Sequence, residues 1–515
     1  MPVGLLFILK TLYNLFTTTN IEGSFNMNDI ILDELKLNFN DIEKEIFGIV
    51  CEAGLAAIKS MLEKLDEVLS ESRDKKKYRY KFKTEKTIQT TMGDLTFSRR
   101  YYIDRYAQKG VFLLDKVLDL NLVGRTSENL IERMIDSAVD SSYRKSAAKI
   151  EKSTLSKISH QTIKNKVDYL GDLIRKIENE RVAKYIKGKL KGKKEVDILF
   201  EEKDGAYLRI QGKKHKQEIK VAKVYEGWVK DSGSYRTTGT IYFSGYEEGE
   251  IFDNIVNSGI AEIYNEDKIQ YTILNGDGAS WISAETENNI QKIYQLDLFH
   301  IFQKASRKIK SDESRKIIKK LLKKKRYDKV LEKLKEFIVS EEDEKRKKEL
   351  EEVYSYYNNN FDALTRYEDR KEIVLPAPPD GVEYKGLGTM ESSIRNVIAS
   401  RMKDNGTAWS IQGANNMSKI LCLKHSGDLR AKLKDILRNG KVVDFININK
   451  VIKEQLNESK ITINNEVKAL LKEQKKARKY NESMQSSIIY GQGKKTRTSY
   501  ILNGLSTFDF FAEIL

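Results

Sequence analysis

A short apolar stretch that ends in one acid between two glycines constrains this chain most. Residues 271–276 alternate in the way typical of a buried strand, and Asp277 and Gly278 follow at once. Glycine on both sides of Asp277 lets the backbone turn sharply and keeps side-chain bulk away from the carboxylate. In open α/β sheets the chemistry lies at the carboxyl ends of strands, so Asp277 is a candidate metal ligand or base. The alternative is a strand-to-loop turn in which Asp277 only caps the next segment.

The charge of the chain favours a polyanionic partner. Its 515 residues carry a net charge of +16, and 40% of them are hydrophobic, enough for about three domains. Nucleic acid is the commonest polyanion that such a balance serves. The two cysteines, Cys51 and Cys422, are too few for a disulfide framework or a four-ligand zinc site, which fits a reduced, cytoplasmic setting. Since no stretch is apolar enough to span a bilayer, no membrane partner is expected.

Changes in periodicity and composition divide the chain into seven segments. The predicted segments are an upstream extension (1–26), a helical and β-hairpin region (27–125), a helix-turn-helix-like DNA-binding region with its linker (126–194), the first part of an α/β core (195–301), an α-helical insertion rich in Lys and Glu (302–380), a final core helix (381–415) and a basic, helical C-terminal region (416–515).

Residues 75–102 predict a β-hairpin that carries many basic and aromatic side chains. Tyr78, Tyr80 and Phe82 alternate with Lys and Arg, and a turn is expected at Gly93-Asp94. Such a face suits phosphate contact and base stacking. The alternative is a solvated hairpin edge that lysines protect from pairing with another strand.

Residues 126–170 predict a helix-turn-helix. A helix begins after Thr126, and two short helices follow at 142–150 and 159–167, the second opening with polar and basic residues. An ordinary pair of antiparallel helices is the alternative. The residues of this region that we expect to contact DNA are Arg144, Lys145, Gln161, Thr162, Lys164, Asn165 and Lys166.

Residues 195–301 predict three strands, a helix and two further strands, which is the order of a ribonuclease-H-like core. The strands are expected at 196–211, 218–225, 237–243, 271–276 and 290–296, and the helix at 251–264. In that mixed five-stranded sheet the first and fourth strands are neighbours, so Asp204 and Asp277 would lie close together. Two carboxylates that close repel unless a divalent cation sits between them.

A third acid follows the insertion. A helix is predicted from Thr389 and carries Glu391 in its first turn, where an acid could serve as a third metal ligand. A first-turn Glu favoured by the helix dipole is the alternative. The basic residues near these acids that we expect to contact DNA are Lys213, Lys214, Arg395, Arg401 and Lys403.

Several short motifs occur in a characteristic order. They are Glu202-Lys-Asp-Gly with Gln211-Gly-Lys, Val224-Tyr-Glu-Gly-Trp228, Asn275-Gly-Asp-Gly-Ala-Ser-Trp281, Leu296-Asp-Leu-Phe-His300 and Gly388-Thr-Met-Glu391. In this order and spacing they resemble bacterial insertion-sequence transposases of the ISLre type, which are related to the Mutator-like group with an Asp-Asp-Glu triad. The segments 97–102 and 142–148 are also similar to that family, and the resemblance extends from about Met27 to the C-terminus.

The resemblance implies catalysis by Asp204, Asp277 and Glu391 on two divalent ions, Mg²⁺ or Mn²⁺. Asp297 and His300 resemble the Asp-x-x-His motif of Mutator-like enzymes, which implies that His300 acts near the transferred strand and that Asp297 orients it. A histidine that only satisfies a strand end is the alternative for His300. If the register of the first acid is shifted, Asp197 or Glu202 would hold the metal instead of Asp204.

The partners that the resemblance implies are the terminal inverted repeats and the target site, both double-stranded DNA. It also implies a homo-oligomer assembled on DNA, in the cytoplasm of a bacterium and associated with the nucleoid. Two other functions fit the same residues: a catalytically inactive transposase remnant or DNA-binding regulator, and a structure-specific nuclease with a ribonuclease-H-like core.

Overall fold

The computed structural model describes residues 39–118, 120, 125–282, 291–404, 406–427 and 429–438. The described chain begins with α1 (Phe39–Ser72), the strands β1 (Tyr78–Thr90), β2 (Gly93–Asp104) and β3 (Lys109–Phe112), and the short helix α2 (Leu113–Val117). The strands form an antiparallel sheet in the order β1-β2-β3. The hairpin that the sequence predicted is confirmed, but the turn predicted at Gly93-Asp94 was wrong: it lies at residues 91–92, and Gly93 and Asp94 pair with β1 as the first residues of β2. Strand β3 was not predicted.

Some of the basic residues of this hairpin have internal partners. The buried carboxylate of Asp66 on α1 accepts hydrogen bonds from the backbone and guanidinium of Arg100. The buried carboxylate of Asp115 pairs with Lys86 and Arg99. Because buried charges require partners, these contacts fasten the sheet to α1 and α2.

Three helices follow: α3 (Glu128–Asp140), α4 (Tyr143–Ser153) and α5 (His160–Ile186). Each begins after a serine, Ser127, Ser142 or Ser159, whose hydroxyl accepts a backbone N–H of the first turn. The sequence predicted a short helix ending near residue 167, but α5 has 27 residues. It continues because its buried positions keep helical spacing as far as Ile174. The assignment of α4 and α5 to a helix-turn-helix stays a prediction.

The next segment forms a five-stranded mixed sheet. Its elements are β4 (Ile198–Leu208), β5 (Gln217–Tyr225), β6 (Gly227–Asp231), β7 (Ser234–Thr238), β8 (Ile241–Gly245), α6 (Gly249–Ile263), β9 (Tyr271–Gly276) and β10 (Gln291–Leu296). The order is β10-β9-β4-β5-β8, with β6 and β7 in a separate hairpin. Strands β9 and β10 run parallel to β4, whereas β5 is antiparallel to β4 and β8.

The neighbouring positions of the predicted first and fourth strands are therefore confirmed, since β4 pairs with β9. The third predicted strand, 237–243, was wrong in its bounds. Residues 237–238 belong to β7 and residues 241–243 to β8, and Gly239, with φ +62°, separates them. That backbone conformation favours glycine and ends one strand before the next begins.

The two faces of the sheet pack against different helices. On one face, Leu199, Ala222 and Val224 share an apolar cluster with Phe252 and Ile255 of α6. On the other face, inward-pointing residues of β4 and β5 join a larger cluster with α3, α5 and the last helices of the described chain. A sheet covered on both faces leaves the ends of its strands as the accessible places for chemistry.

After β10 the chain forms α7 (Leu298–Lys308), α8 (Asp312–Lys323), α9 (Tyr327–Ser340) and α10 (Glu344–Asn359), with an apolar cluster of their own. The helical pattern of the insertion is thus confirmed. The chain returns through α11 (Met390–Ile394), a π-helical turn (Arg395–Ala399), α12 (Ser400–Met402), α13 (Ile411–His425) and α14 (Leu429–Arg438).

The upstream extension predicted for 1–26 and most of the C-terminal region predicted for 416–515 lie outside the described residues. All described residues except 67–72 belong to one compact unit. Within the described ranges, no helix combines the length and the apolarity that a membrane span requires.

Helices α5 and α13 cross at Gly171, and this crossing offers a test of the packing. A Cβ atom on Gly171 would lie 2.3 Å from the Cβ of Asn416. We expect Gly171→Ala to cost about 1–3 kcal/mol of stability, measured as a lower urea midpoint, because the helices must separate. The control is Gly48→Ala in α1, which meets no atom within 4 Å and should not lose stability. Equal midpoints for the two variants would contradict the close approach.

Candidate active site

The parallel strands bring three acids to one edge of the sheet. The register places Glu202 of β4 beside Asn275 of β9, and Asn275 beside Gln295 of β10. Residues two positions apart on a strand share a face, so the next residues on this face form a second row. The members of that row are Asp204, Asp277 and Asp297.

Asp204 lies where β4 extends beyond the last residue that pairs with β9. Its side chain is 18% exposed, and its Oδ2 lies 3.5 Å from Nε2 of His300. Burial by itself lowers the pKa of His300. The hydrogen bond and charge of Asp204, with smaller effects of Asp297 and Asp277, outweigh this and raise the pKa above its ordinary value. The imidazole is therefore held next to the first acid and is readily protonated.

Asp277 follows β9 in the turn that the sequence predicted. Its Oδ1 accepts the backbone N–H of Ala279 at 2.9 Å, and the hydroxyl of Tyr356 donates to its carbonyl oxygen at 2.8 Å. Burial raises the pKa of Asp277; the N–H of Ala279 opposes this, and the negative charge of Asp204 adds to it. The carboxylate that accepts a hydrogen bond within the turn is therefore also close enough to Asp204 to interact with it electrostatically.

Asp297 caps helix α7 and positions His300 through the backbone. Its Oδ1 accepts the N–H groups of Phe299 and His300, and its Oδ2 accepts the side-chain amide of Asn275 at 2.7 Å. The N–H groups at a helix start lack partners within the helix, so this cap fixes where α7 begins. The imidazole of His300 points to Asp204, so Asp297 orients the helix and not the ring directly.

Glu391 lies in the first turn of α11 and is exposed. It lines a small cavity together with the first acid and the Asp-His pair. The lining residues are Lys203, Asp204, Asn275, Asp297, Phe299, His300, Gly388, Met390 and Glu391. Asp277 is not among them, although the charge of Asp204 contributes to the raised pKa of Asp277 and the charge of Asp277 contributes to the raised pKa of His300.

The donor set of three carboxylates and an imidazole is of the kind that Mg²⁺ and Mn²⁺ accept. In the part of the chain that the structure describes, no three acidic, histidine or cysteine side chains converge closely enough to hold one ion. Ion binding between Asp204, Asp277 and Glu391 therefore requires a rearrangement of side chains, for which the exposed Glu391 has room. The side chains at this site are therefore of the chemical type that binds Mg²⁺ or Mn²⁺, but their present positions satisfy only part of the coordination that one ion requires.

The sequence offers Asp197, Glu202 and Asp204 as the first acid of the triad, and of these only Asp204 lines the cavity. Glu202 is fully buried, and both of its carboxylate oxygens accept hydrogen bonds from protein groups. Asp197 precedes β4 at the opposite end of the strand, where its Oδ1 accepts the side-chain amide of Gln270. Of the alternatives, Asp204 is therefore the only acid that is placed to meet Glu391.

Most of the predicted DNA contacts lie at the surface. The exposed ones are Arg144, Lys145, Gln161, Asn165, Lys213, Lys214 and Arg395, and the half-buried ones are Thr162, Lys164, Lys166 and Lys403. Lys164 pairs with Asp168, and burial lowers the pKa of Lys166. These two are therefore less suited to bind phosphate than the exposed residues.

Arg401 was wrong as a DNA contact. It is 4% exposed, its Nε donates to the carbonyl oxygen of Ala138 at 2.6 Å, and its guanidinium lies over the rings of Tyr143 and Trp409. The side chain joins α12 to α3 and α4. The sequence carried no signal for this, because the partners lie up to 263 residues away.

Sequence reasoning missed the roles of Asn275, Phe299 and Gly388 in the cavity. Asn275 offered a signal, since a polar residue among the apolar residues of a buried strand requires a partner. Gly388 has φ +132°, a conformation that glycine alone adopts readily, but no turn motif around Gly388 predicts this conformation.

A family model described as uncharacterised protein family UPF0236 matches residues 32–438. A UPF0236 protein of Caldanaerobacter subterraneus subsp. tengcongensis, whose name joins eleven locus designations, is 26% identical over 449 residues, which are 86% of this chain and 90% of that protein. A second one from this organism is 26% identical over 467 residues, 85% of this chain and 93% of its own length. A UPF0236 protein of Streptococcus gallolyticus, named for the vanSb 3′ region, is 22% identical over 400 residues, which are 76% of this chain and 84% of that protein.

The contact between Asp204 and His300 predicts a pKa change. In metal-free protein, Asp204→Asn should lower the pKa of His300 by removing the hydrogen bond and charge that raise it. A histidine whose pKa is raised on folding stabilises the fold below about pH 6.5, and this contribution is lost as the pH rises through the folded value. NMR titration of the histidines, with His300→Gln for assignment, measures the change. Asp197→Asn is the control, and an unchanged His300 in Asp204→Asn would refute the contact.

Proposed function

The chain belongs to the uncharacterised protein family UPF0236, and from its candidate site we propose that it is a DNA transposase of the Asp-Asp-Glu type. The observation that carries the proposal is the meeting of Asp204 and Glu391 in one cavity, with Asp277 beside them at the carboxyl edge of the sheet. The strand order β10-β9-β4-β5-β8 supports a ribonuclease-H-like core, in which acids at these strand ends act together.

In this proposal Asp204, Asp277 and Glu391 would hold two divalent ions, Mg²⁺ or Mn²⁺. When bound, such ions would activate water or a 3′-hydroxyl and stabilise the oxygen that leaves. His300, with its raised pKa, presents a protonated imidazole to a phosphate oxygen of the strand being cut. Asp297 keeps α7, and hence His300, in place through its cap. The reaction is cleavage of the phosphodiester bond at the ends of an insertion sequence, followed by strand transfer.

The exposed basic residues support double-stranded DNA as the partner. Arg144 and Lys145 on α4, with Gln161 and Asn165 at the start of α5, lie on consecutive helices and would bind the terminal inverted repeats. Lys213, Lys214 and Arg395 are also exposed and would contact backbone phosphates. Binding of two ends and a target site implies a homo-oligomer on the DNA.

The name of one relative favours a mobile element over a single-copy nuclease. It joins eleven locus designations of one strain, so one protein is encoded at many places in that genome. A gene that a transposase copies or moves would accumulate in this way. A second candidate remains, a catalytically inactive DNA-binding remnant or regulator. It is favoured by the observation that the three carboxylates do not converge on one point in the described chain.

Asp277→Asn tests the chemistry. The substrate is DNA that contains the sequences flanking the gene, and the wild-type protein should cleave it at the element's ends only with Mg²⁺ or Mn²⁺. We expect the variant to lose on the order of 10³-fold or more in cleavage rate, because the ligands act as a unit, while a gel shift shows unchanged binding. Asp197→Asn, at the opposite end of β4, is the matched control and should cleave normally.

The other outcomes of this assay would contradict the proposal in different ways. Normal cleavage by Asp277→Asn would show that Asp277 is not a catalytic residue. Metal-dependent cleavage that ignores the end sequence would identify a structure-specific nuclease. Sequence-specific binding without any cleavage by the wild-type protein would identify a regulator.

Replacing Arg144 and Lys145 by alanine tests the DNA-binding helices. If both side chains contact phosphate, the affinity for DNA should fall and the slope of log K against log salt should become shallower by about one per lost contact. The control removes the same charge from the exposed pair Lys345 and Arg346 on α10. Equal losses in the two variants would show a general effect of net charge and not a binding site on α4.

A further inference from the structure

We propose that Glu202 is a positioning residue that fixes the third acid, Glu391, against the sheet. The proposal rests on the proposed function in one respect, the assignment of Glu391 as a metal ligand. It assigns no chemistry to Glu202 itself, because the buried carboxylate does not line the cavity.

The carboxylate of Glu202 is surrounded by hydrogen-bond donors. Its Oε1 accepts the hydroxyl of Tyr225 at 2.9 Å, and its Oε2 accepts the side-chain amide of Asn275 at 3.3 Å. The backbone N–H groups of Gly388 and Thr389 each donate to Oε2 at 3.0 Å, and the hydroxyl of Thr389 also donates to the carboxylate. The two carboxylate oxygens of Glu202 thus act as acceptors for donors from three segments of the chain.

These contacts hold the chain at the place where it returns from the helical insertion. Gly388 and Thr389 lie 186 and 187 residues after Glu202 in sequence, and α11, which carries Glu391, begins at the next residue. The ammonium group of Lys223 on β5 donates to the hydroxyl of Thr389 at 2.7 Å. The start of α11 is therefore fastened to two neighbouring strands, and Glu391 is two residues from that anchor.

The backbone conformation of Gly388 allows its N–H group to reach Glu202. Its φ of +132° is one that residues with a side chain rarely adopt, and in this conformation its N–H reaches Glu202. The N–H of Thr389 follows it to the same oxygen. Two successive N–H groups on one carboxylate define both the position and the direction of the segment that enters α11.

The same anchor reaches the other side of the cavity. Asn275, which donates to Glu202, also donates to Asp297, and the side-chain amide of Gln295 donates to the side-chain oxygen Oδ1 of Asn275. Asp297 caps the helix from which His300 projects. One buried polar row therefore sets the distance between the helix of Glu391 and the helix of His300.

Glu202→Gln removes the acceptor charge and presents an NH₂ group to one of the donors. We expect α11 to lose its anchor and the affinity for Mn²⁺ to fall about 10–100-fold, as for other residues that orient metal ligands. Binding is measured on the full chain by the electron paramagnetic resonance signal of free Mn²⁺. The matched control is Glu201→Gln, because Glu201 is equally buried on the other face of β4 and pairs with Lys203 and Lys292. This control should bind Mn²⁺ within about twofold of wild type.

A double-mutant cycle separates positioning from a general structural effect. If Glu202 acts through Glu391, Glu202→Gln should weaken Mn²⁺ binding in the wild-type background and have no further effect in Glu391→Gln. Glu202→Asp, which keeps the charge on a shorter side chain, should restore part of the affinity. Should Glu202→Gln fail to fold, Thr389→Val removes one donor from the same anchor and should weaken binding in the same direction.

The outcomes distinguish this inference from the proposed function. If Glu391→Gln weakens Mn²⁺ binding and Glu202→Gln does not, or if the two losses are additive, the positioning role is overturned and the proposed function stands. If wild type binds no Mn²⁺, or if Glu391→Gln binds it normally, both are overturned. Loss in Glu202→Gln that vanishes in the Glu391→Gln background supports the anchor.

Discussion

Carboxylates crowded at one edge of a sheet repel one another, and much of the surrounding structure holds them together against that repulsion. Burial raises the pKa of Asp277, and the charge of Asp204 adds to this rise, so Asp277 is harder to ionise than an exposed aspartate. Hydrogen-bond donors from the start of α7, from the turn after β9 and from β9 itself stabilise these carboxylates. They are His300 for Asp204, the N–H of Ala279 for Asp277, and Asn275 with the N–H of Phe299 for Asp297.

Three acids within four residues of β4 meet three different environments. Burial alone raises the pKa of Glu201, yet the charges and hydrogen bonds of Lys203 and Lys292 outweigh it and lower the pKa to about 2. Glu202 accepts neutral donors from three segments, and Asp204 faces the open cavity. A buried charge is tolerated only with such partners. Glu201 is therefore part of an ion pair, Glu202 anchors another segment, and Asp204 is the candidate metal ligand.

This sorting explains what the sequence could and could not predict. Periodicity predicted the strands and the helix between them in their order along the chain, whereas the closeness of Asp204 and Asp277 followed from the analogy with a ribonuclease-H-like sheet, in which the first and fourth strands are neighbours. It left Asp197, Glu202 and Asp204 as alternatives, since the groups that separate them come from residues far along the chain.

One error arose from a local pattern and another from long-range contacts. The length of α5 was underestimated, because its second half is held by apolar positions that continue beyond the polar start. The burial of Arg401 depends on Ala138, Tyr143 and Trp409, which no local pattern brings together. Local pattern thus predicts elements and their order, whereas partners across the chain decide which charged residue is buried.

The helical insertion stands between Asp277 and Glu391 in sequence, and it positions the site together with the sheet. The chain leaves the sheet at Asp297 and returns at Gly388, and both ends are tied to the row of Asn275 and Glu202. The helices between pack around an apolar cluster that includes residues of α7, the helix of His300, and Leu296 of β10. The hydroxyl of Tyr356 on α10 also donates to the carbonyl oxygen of Asp277. The sheet therefore fixes where the helices of Glu391 and His300 begin, and the insertion supports α7 and the turn of Asp277.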